Sequence, residues 1–301
     1  KSLGMGRTML GVVQDSHAVF ANPANLSYLQ DTHFSSFFSN LFGDFGYSNV
    51  VGGFKADNYW WGVGFASVGL NGIPRTIEVS YVTDTRIVQT GSFDARDTLL
   101  AATYAQYLGE LFFFKNTYWG ITAKYFSQTI DSASSSLVGG DIGLRFNLEG
   151  MNGFPVIGDM LEGARYGLVA YNPLNFNFGG GVNTIGLETH FRMGVANKVV
   201  VPYWNQEILA AFDFDTLDGA HLGAQYWLDK HYAVRGGWDS GRFTLGGGLI
   251  VEDFSGFDYN PHTLQFDYAV KFYEEQLGLG HFFGIAYLGV SYTETPEIIQ
   301  P

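Results

Sequence analysis

The chain has 301 residues, of which 46% are hydrophobic and only 15% are charged, whereas roughly 25% of the residues in an average soluble domain are charged. The formal net charge of −13 argues against nucleic acid as a partner, because phosphate binding requires clustered lysine and arginine. The nearest approach to an apolar span, residues 59–70, is interrupted by Gly62, Gly64 and Gly69 and falls short of the run of about 20 residues that a transmembrane helix needs, which excludes helical spanning.

The composition favours β-structure. Aromatic residues make up 17% of the chain, and there are 40 glycines against 8 prolines. Aromatic side chains pack well on pleated sheets, whereas each glycine weakens a helix by about 1 kcal/mol. A closed barrel is the other structure that satisfies every backbone polar group in lipid, and its signature is a series of segments of about 10 residues with alternating polarity.

The first thirty residues show no such alternation. Residues 15–22 are followed by Pro23 and Ala24, which predicts a short helix stopped by the proline and then a turn. The first eleven residues lack the apolar core and cleavage site of a signal peptide. We therefore expect that a signal peptide has already been removed, as the absence of cysteine in an exported chain also allows.

Alternation begins afterwards and is sharpest towards the C-terminus. In residues 264–272, Leu264, Phe266 and Tyr268 face one way while Gln265 and Asp267 face the other. Segments 119–125, 142–148, 220–228 and 243–251 repeat the pattern. Counting such segments gives about 14 strands, the first at 34–42 and the last at 282–292, although 12 or 16 strands remain compatible with the pattern.

A soluble sandwich is the alternative to a barrel. In a sandwich the apolar faces meet in a core, and the opposite faces should be rich in lysine, glutamate and arginine. Here the opposite faces carry glycine, threonine, glutamine, asparagine and isolated charges, as expected where they line a crowded or wet lumen. The sequence therefore predicts an all-β, transmembrane antiparallel barrel in the bacterial outer membrane, in contact with outer-membrane lipid.

The connections predict hairpins between neighbouring strands. Asp218-Gly219 and Ser240-Gly241 are typical of tight turns, and residues 229–230 form a weaker one. Longer connections are predicted at 71–97, 149–165, 177–186 and 253–262, with a short helix within 148–164. Because long loops of such barrels usually cluster on the extracellular side, we expect the short turns at the opposite end.

Several ionisable residues fall on the faces predicted to point into the lumen. One interpretation is a network of ion pairs that fills the barrel; the other is a polar constriction that selects a solute. Asp213 and Asp215 could together help to bind a cation, but no metal site is predicted. The residues are Lys124, Asp141, Arg145, His190, Arg192, Asp213, Asp215, His221, Arg235, Asp239, Asp267 and Lys271.

Two further patterns have structural interpretations. Tyr59, Trp60 and Trp61, with Tyr118 and Trp119, are predicted to lie in aromatic girdles at the membrane interfaces rather than in a ligand cage. The three consecutive glycines 246–248 are predicted to relieve crowding or to let the strand bend.

The N-terminal segment resembles the FadL-like superfamily of outer-membrane proteins, and within it the shorter PorV/PorQ-like branch. The resemblance rests on the Gly-Met-Gly start, on Asp15 followed by small and apolar residues, on Asn22-Pro23-Ala24, and on the order of motifs near the C-terminus. It implies that residues 1–31 form a plug or gate inside a 14-stranded barrel made by residues 32–301. Asn25 stands where the superfamily usually has glycine, and we expect the turn to survive because asparagine also tolerates positive φ.

Motifs for catalysis are absent from the sequence. It contains no Gly-x-Ser-x-Gly elbow, no His-Glu-x-x-His pair and no phosphate-binding loop. We therefore predict that the chain is not an enzyme and uses no cofactor. The resemblance implies a gated channel for small hydrophobic molecules. The alternative is a barrel that transports nothing and instead anchors or hands over secreted surface proteins, as PorV-like members do in type IX secretion.

Overall fold

In the computed structural model, the residues described are 1–41, 45–80, 85–111, 114–149, 163–177, 186–201, 206–228, 231–252, 263–273 and 278–288. Within them, fourteen strands form one closed barrel in which each strand pairs with its sequence neighbours and β1 pairs with β14. The prediction of about 14 antiparallel strands is confirmed. The strands are β1 (His33–Leu41), β2 (Phe45–Ala56), β3 (Tyr59–Ser80), β4 (Thr85–Leu111), β5 (Phe114–Ile130), β6 (Ala133–Leu148), β7 (Arg165–Asn177), β8 (His190–Val201), β9 (Gln206–Asp215), β10 (Gly219–Trp227), β11 (Tyr232–Asp239), β12 (Arg242–Glu252), β13 (Thr263–Phe272) and β14 (Leu279–Leu288).

Strands β3 and β4 are much longer than the others, with 22 and 27 residues. Strand β2 pairs with β3 only as far as Leu70, and β5 pairs with β4 only as far as Ala95. Beyond these points β3 and β4 pair with each other alone, so they form a protruding hairpin. The prediction of a long irregular connection at 71–97 is therefore wrong. Both faces of the hairpin are exposed, so its sequence need not alternate. Pro74 is tolerated because β3 has a partner strand on only one side there.

The short and long connections are not sorted to opposite ends. We call the end where β3 and β4 protrude the hairpin end, and the end where β1 begins the terminal end. Because all pairs are antiparallel, the turns at 216–218 and 240–241 must lie at the hairpin end, while the connections 149–164 and 253–262 join strands at the terminal end. The expectation that long connections and short turns lie at opposite ends is therefore wrong, because each end carries connections of both kinds. Residues 150–162, 178–185, 229–230 and 253–262 lie outside the described residues, as does the predicted helix within 148–164 apart from its ends.

The outward face of the barrel is apolar all the way round. Val63 on β3 is 64% exposed, Leu100 on β4 is 53% exposed and Phe191 on β8 is 58% exposed. An apolar surface that continues around the whole wall is far larger than a soluble monomer tolerates, and it matches a lipid-facing belt. Among the described residues, no helix is long and apolar enough to cross a bilayer.

The N-terminal segment, residues 1–31, is surrounded by the inward faces of the strands. It contains a 3₁₀-helix at Ser2–Met5, the short helix α1 at Ala18–Ala21 and a second 3₁₀-helix at Pro23–Tyr28. The prediction of a short helix that ends before Pro23 is confirmed. Met5, Val19 and Leu26 have no exposed surface, so this segment supplies much of the apolar core that the barrel wall, with its apolar side turned outward, does not.

Candidate functional site

Glycines on the inward face of the barrel provide the space in which the N-terminal segment lies. A Cβ atom on Gly237 of β11 would lie 2.1 Å from the backbone nitrogen of Gly6, and one on Gly223 of β10 would lie 2.3 Å from the carbonyl oxygen of Met5. On the other side of the lumen, a Cβ on Gly120 would lie 2.6 Å from the carbonyl carbon of Pro23. The backbone of the segment thus contacts the barrel wall directly at positions where no side chain would fit.

The glycines at 246–248 follow the same pattern. A Cβ on Gly246 would lie 2.9 Å from Cα of Gly4, and one on Gly248 would lie 2.5 Å from a guanidinium nitrogen of Arg235. Outward-facing Gly247 has no neighbour closer than 3.9 Å. Relief of crowding, one of the two predicted roles, therefore describes the two inward glycines.

Arg192 and Asp213 form a buried ion pair that binds the N-terminal segment. The Arg192 Nε donates to Asp213 Oδ2 over 3.1 Å, and the same oxygen accepts from the backbone nitrogens of Met9, at 2.7 Å, and Leu10. The guanidinium also donates to the carbonyl oxygen of Arg7. Asp215 lies 3.7 Å from Arg192. The guanidinium thus occupies the position between the two carboxylates that a cation would have taken.

Other inward charges are also paired. Arg235 donates to Gln225 and lies 2.5 Å from Asp267. Lys124 lies 2.5 Å from Asp141. His190 stacks on a tyrosine ring, Tyr171, with its Nε2 3.7 Å from Asp215 Oδ2.

Arg145 interacts with the end of the N-terminal segment. Its Nε donates to the hydroxyl of Ser27, and its guanidinium carbon lies 3.8 Å from the ring centroid of Tyr28 and 4.1 Å from that of Tyr118. A guanidinium held between two aromatic faces out of water is a favourable cation–π arrangement.

A cluster of charged groups near the hairpin end has the composition of a metal site. Asp218, His221 and Asp239 each offer one ligand atom, and these atoms lie within 4.8 Å of one another. Arg7, however, lies 2.6 Å from Asp218, and Lys271 donates to Asp239. Burial raises the pKa of Asp218, but the Arg7 guanidinium and His221 outweigh this effect and keep it below its ordinary value. Because these cations already compensate both carboxylates, the cluster is better described as an ion-pair network.

The predicted plug residues have distinct local roles. The Asp15 carboxylate accepts from the backbone nitrogen of His17 over 2.8 Å. Burial raises the pKa of Asp15, but the hydrogen bond and charge of His17 more than reverse this and lower it below its ordinary value. Asn22 caps the second 3₁₀-helix by accepting from the backbone nitrogen of Ala24, and it donates to the carbonyl of Leu144 on β6. Pro23 opens that 3₁₀-helix.

Asn25 does not adopt the positive φ that was expected of a residue in place of glycine. It lies within the second 3₁₀-helix. Its fully buried side chain instead donates to the carbonyl oxygens of Leu10, at 2.9 Å, and Val13, at 3.0 Å. An amide that bonds two carbonyls ties the halves of the segment together, which glycine could not do.

The girdle prediction is wrong for Trp60 and Tyr118. Side chains alternate along a strand, so three consecutive residues cannot all face lipid. Tyr59 and Trp61 face outward, whereas Trp60 is 6% exposed, donates to the carbonyl of Leu29 over 2.8 Å and packs edge-on against Tyr118. Trp60 therefore packs against the N-terminal segment.

Some contact residues were missed in the sequence. The Ser16 hydroxyl lies 2.9 Å from His33 Nδ1 and 2.7 Å from the Ser35 hydroxyl, and Ser16 is completely buried. This Ser–His contact is a structural tie between the segment and β1, since no substrate could reach it. The alternation of β1 could have placed His33 and Ser35 inward. Nothing in the sequence, however, marks Ser16 as their partner or Arg7 as the partner of Asp218.

A cavity of about 280 Å³ lies inside the barrel between helix α1 and the hairpin end. Phe20 of α1 borders it from the N-terminal segment. Residues of β2 to β5 form most of the rest of its wall, which is partly polar. The apolar lining includes Phe20, Tyr47, Ala66, Val68, Leu99 and Phe126, and the polar lining includes Asp97, Lys124 and Asn172. An engineered apolar cavity of about 150 Å³ binds benzene, so this one is large enough for a small organic molecule.

The fold of this chain, a closed 14-stranded barrel with the N-terminal segment in its lumen, is similar to that of several solved structures. Among solved structures, the chain is similar to a mutant of the TodX monoaromatic hydrocarbon channel, with a TM-score of 0.59, 12% identity and coverage of 95% of this chain and 97% of that one. It is also similar to the toluene transporters TodX of Pseudomonas putida and TbuX of Ralstonia pickettii. For TodX the TM-score is 0.56 and the identity 11%, and the match covers 95% of this chain and 95% of TodX. For TbuX the TM-score is 0.56 and the identity 13%, and the match covers 95% of this chain and 96% of TbuX. No protein-family model and no curated protein matches the chain.

Proposed function

We propose that the chain is a bacterial outer-membrane channel for small hydrophobic molecules, in which residues 1–31 act as a hatch. The observation that carries this proposal is the cavity beside Phe20, because it offers a binding space in the lumen next to the hatch. The lipid-facing belt and the fold shared with toluene transporters support it. The neighbours in fold are channels, and we propose that this chain, likewise, catalyses no reaction.

The route through the barrel follows from how the hatch is held. Its first ten residues are held by buried charges, notably Asp213. Helix α1 instead meets β3 through apolar contacts: a Cβ on Gly62 would lie 2.6 Å from Val19, and one on Gly64 would lie 2.6 Å from Phe20. Moving apolar side chains breaks no ion pair, so we propose that a solute passes by displacing α1 from β3 while the ionic half of the hatch stays in place.

Filling the cavity tests the proposal. We expect Leu99→Trp to lower the rate of toluene uptake into proteoliposomes at least tenfold, because the indole would occupy the space that the solute needs. Leu100→Trp is the matched control, since Leu100 is the next residue on β4, faces lipid and is 53% exposed, and we expect its uptake to equal that of the unmodified protein. Equal uptake by both folded variants would refute the proposed route.

One observation favours the second candidate, a PorV-like barrel that anchors or hands over secreted proteins. The protruding β3–β4 hairpin exposes Ile77 and Ile87, which are 49% and 77% exposed, on a ribbon whose outer edges carry no further strand among the described residues. Such edges can accept a partner strand. Recovery of the protein from mild detergent with a stoichiometric partner, together with no toluene uptake, would favour this candidate over the channel.

A further inference from the structure

The polar groups around the cavity differ in whether they are free to bind a ligand. Asp97 lies on the inward face of β4, opposite Val68 of β3 and Gln128 of β5, and it lines the cavity. Among the described residues, its carboxylate has no hydrogen bond or ion pair. It is therefore an acceptor open to whatever enters the cavity.

Asn172 supplies a second free acceptor. It is 6% exposed, and its Oδ1 has no hydrogen-bond partner within the described part of the chain, whereas its Nδ2 donates to the carbonyl of Glu188 over 3.3 Å. Its φ of 49° falls where the pairing of β6 with β7 shifts register. Burying an acceptor without a partner costs free energy, so a ligand that donates to this oxygen would recover part of that cost.

The cation that lines the cavity, Lys124, is already paired, unlike the two acceptors. The Lys124 ammonium lies 2.5 Å from Asp141 and 5.5 Å from the ring centroid of Tyr171. A ligand carboxylate would have to compete with Asp141 for it while facing the unpaired Asp97. The cavity therefore repels an anionic ligand. To a ligand that donates hydrogen bonds it presents two acceptors, Asp97 and Asn172.

We propose that the cavity selects small aromatic amines over aromatic carboxylates and over plain hydrocarbons of the same size, with Asp97 binding the amine. The rings of Phe20, Tyr47 and Phe126 receive the apolar part of such a ligand and can also stabilise an adjacent ammonium through cation–π contact. This inference rests on the proposed channel function and specifies its substrate class.

Three probes of similar shape test it: benzylamine, ethylbenzene and phenylacetate, whose binding to the full-length protein in detergent micelles is measured by equilibrium dialysis. We expect benzylamine to bind at least tenfold more tightly than phenylacetate, and more tightly than ethylbenzene. Asp97→Asn should weaken benzylamine binding about tenfold and change ethylbenzene binding less than twofold, because only the amine uses the charge. Asp97→Glu should retain most of the benzylamine affinity.

Asp57→Asn is the matched control, since it makes the same change of charge at an exposed turn between β2 and β3 at the terminal end, and it should leave all three affinities unchanged. Heat-dependent gel migration establishes that each variant is folded; if Asp97→Asn is not, Asp97→Ser takes its place. Unchanged benzylamine affinity in the folded variant, or equal affinities for benzylamine and phenylacetate, would overturn the selectivity while leaving the channel intact. Failure of all three probes to bind would instead count against the proposed function itself.

Discussion

Replacing Arg192 by alanine is expected to lower the free energy of unfolding by about 3–5 kcal/mol, the cost of removing one partner of a buried ion pair. The Arg192 side chain is 1% exposed and that of Asp213 is 0% exposed. Without the guanidinium, the Asp213 carboxylate would keep its hydrogen bonds from Met9 and Leu10 but would lose its charge partner. Reversible urea unfolding in lipid vesicles measures the change.

The control for this variant is Arg75→Ala. Arg75 also forms an ion pair, 2.5 Å from Asp131, but the two side chains are 49% and 42% exposed. An exposed pair contributes about 0–1 kcal/mol, so the control should unfold near the midpoint of the unmodified protein. If Arg192→Ala cost no more than Arg75→Ala, the buried charges would not hold the hatch.

Adding a single methyl group at Gly237 is expected to loosen the hatch. In Gly237→Ala, the new Cβ would lie 2.1 Å from the nitrogen of Gly6 and 2.3 Å from the carbonyl carbon of Met5, both of which are backbone atoms. Overpacking of this kind costs about 1–3 kcal/mol, which the hatch can avoid by leaving the wall. We expect the amides of residues 2–13 to exchange with deuterium at least tenfold faster.

The neighbouring glycine supplies the comparison. Gly236 faces outward, and a Cβ there has no neighbour closer than 4.0 Å. Neither Gly236 nor Gly237 has positive φ, so alanine suits the backbone at both positions and only the available space differs. Identical exchange in the Gly236→Ala and Gly237→Ala proteins would show that close contact with the wall does not hold the segment.

The sequence predicted the architecture because alternation along a strand is a local property. Lipid on one side and a crowded lumen on the other force every strand into a period of two, and this is why Arg192, Asp213 and Arg235 could be placed inward before their partners were known. The same rule, applied to consecutive residues, could have placed Trp60 inward. The long β3–β4 hairpin was missed because both of its faces are exposed and its sequence therefore carries no alternation.

The partners of the inward residues could not be predicted in the same way. Which residues meet across the lumen depends on strand register and shear, and these are global properties of the barrel. Arg7 reaches Asp218 across 211 positions of sequence, and nothing local relates the two. The cavity beside Phe20 depends in addition on where the N-terminal segment leaves space, so Asp97 could not be distinguished from other inward residues by sequence alone.

We propose that residues 1–31 close the lumen of this barrel. Single-channel conductance in a planar bilayer tests it most directly, with the intact protein measured beside a variant that lacks residues 1–30. We predict that the intact protein passes little ionic current and that the truncated, folded barrel shows stable open channels. If the truncated barrel remained closed, or if the intact protein conducted equally well, the N-terminal segment would not be the hatch.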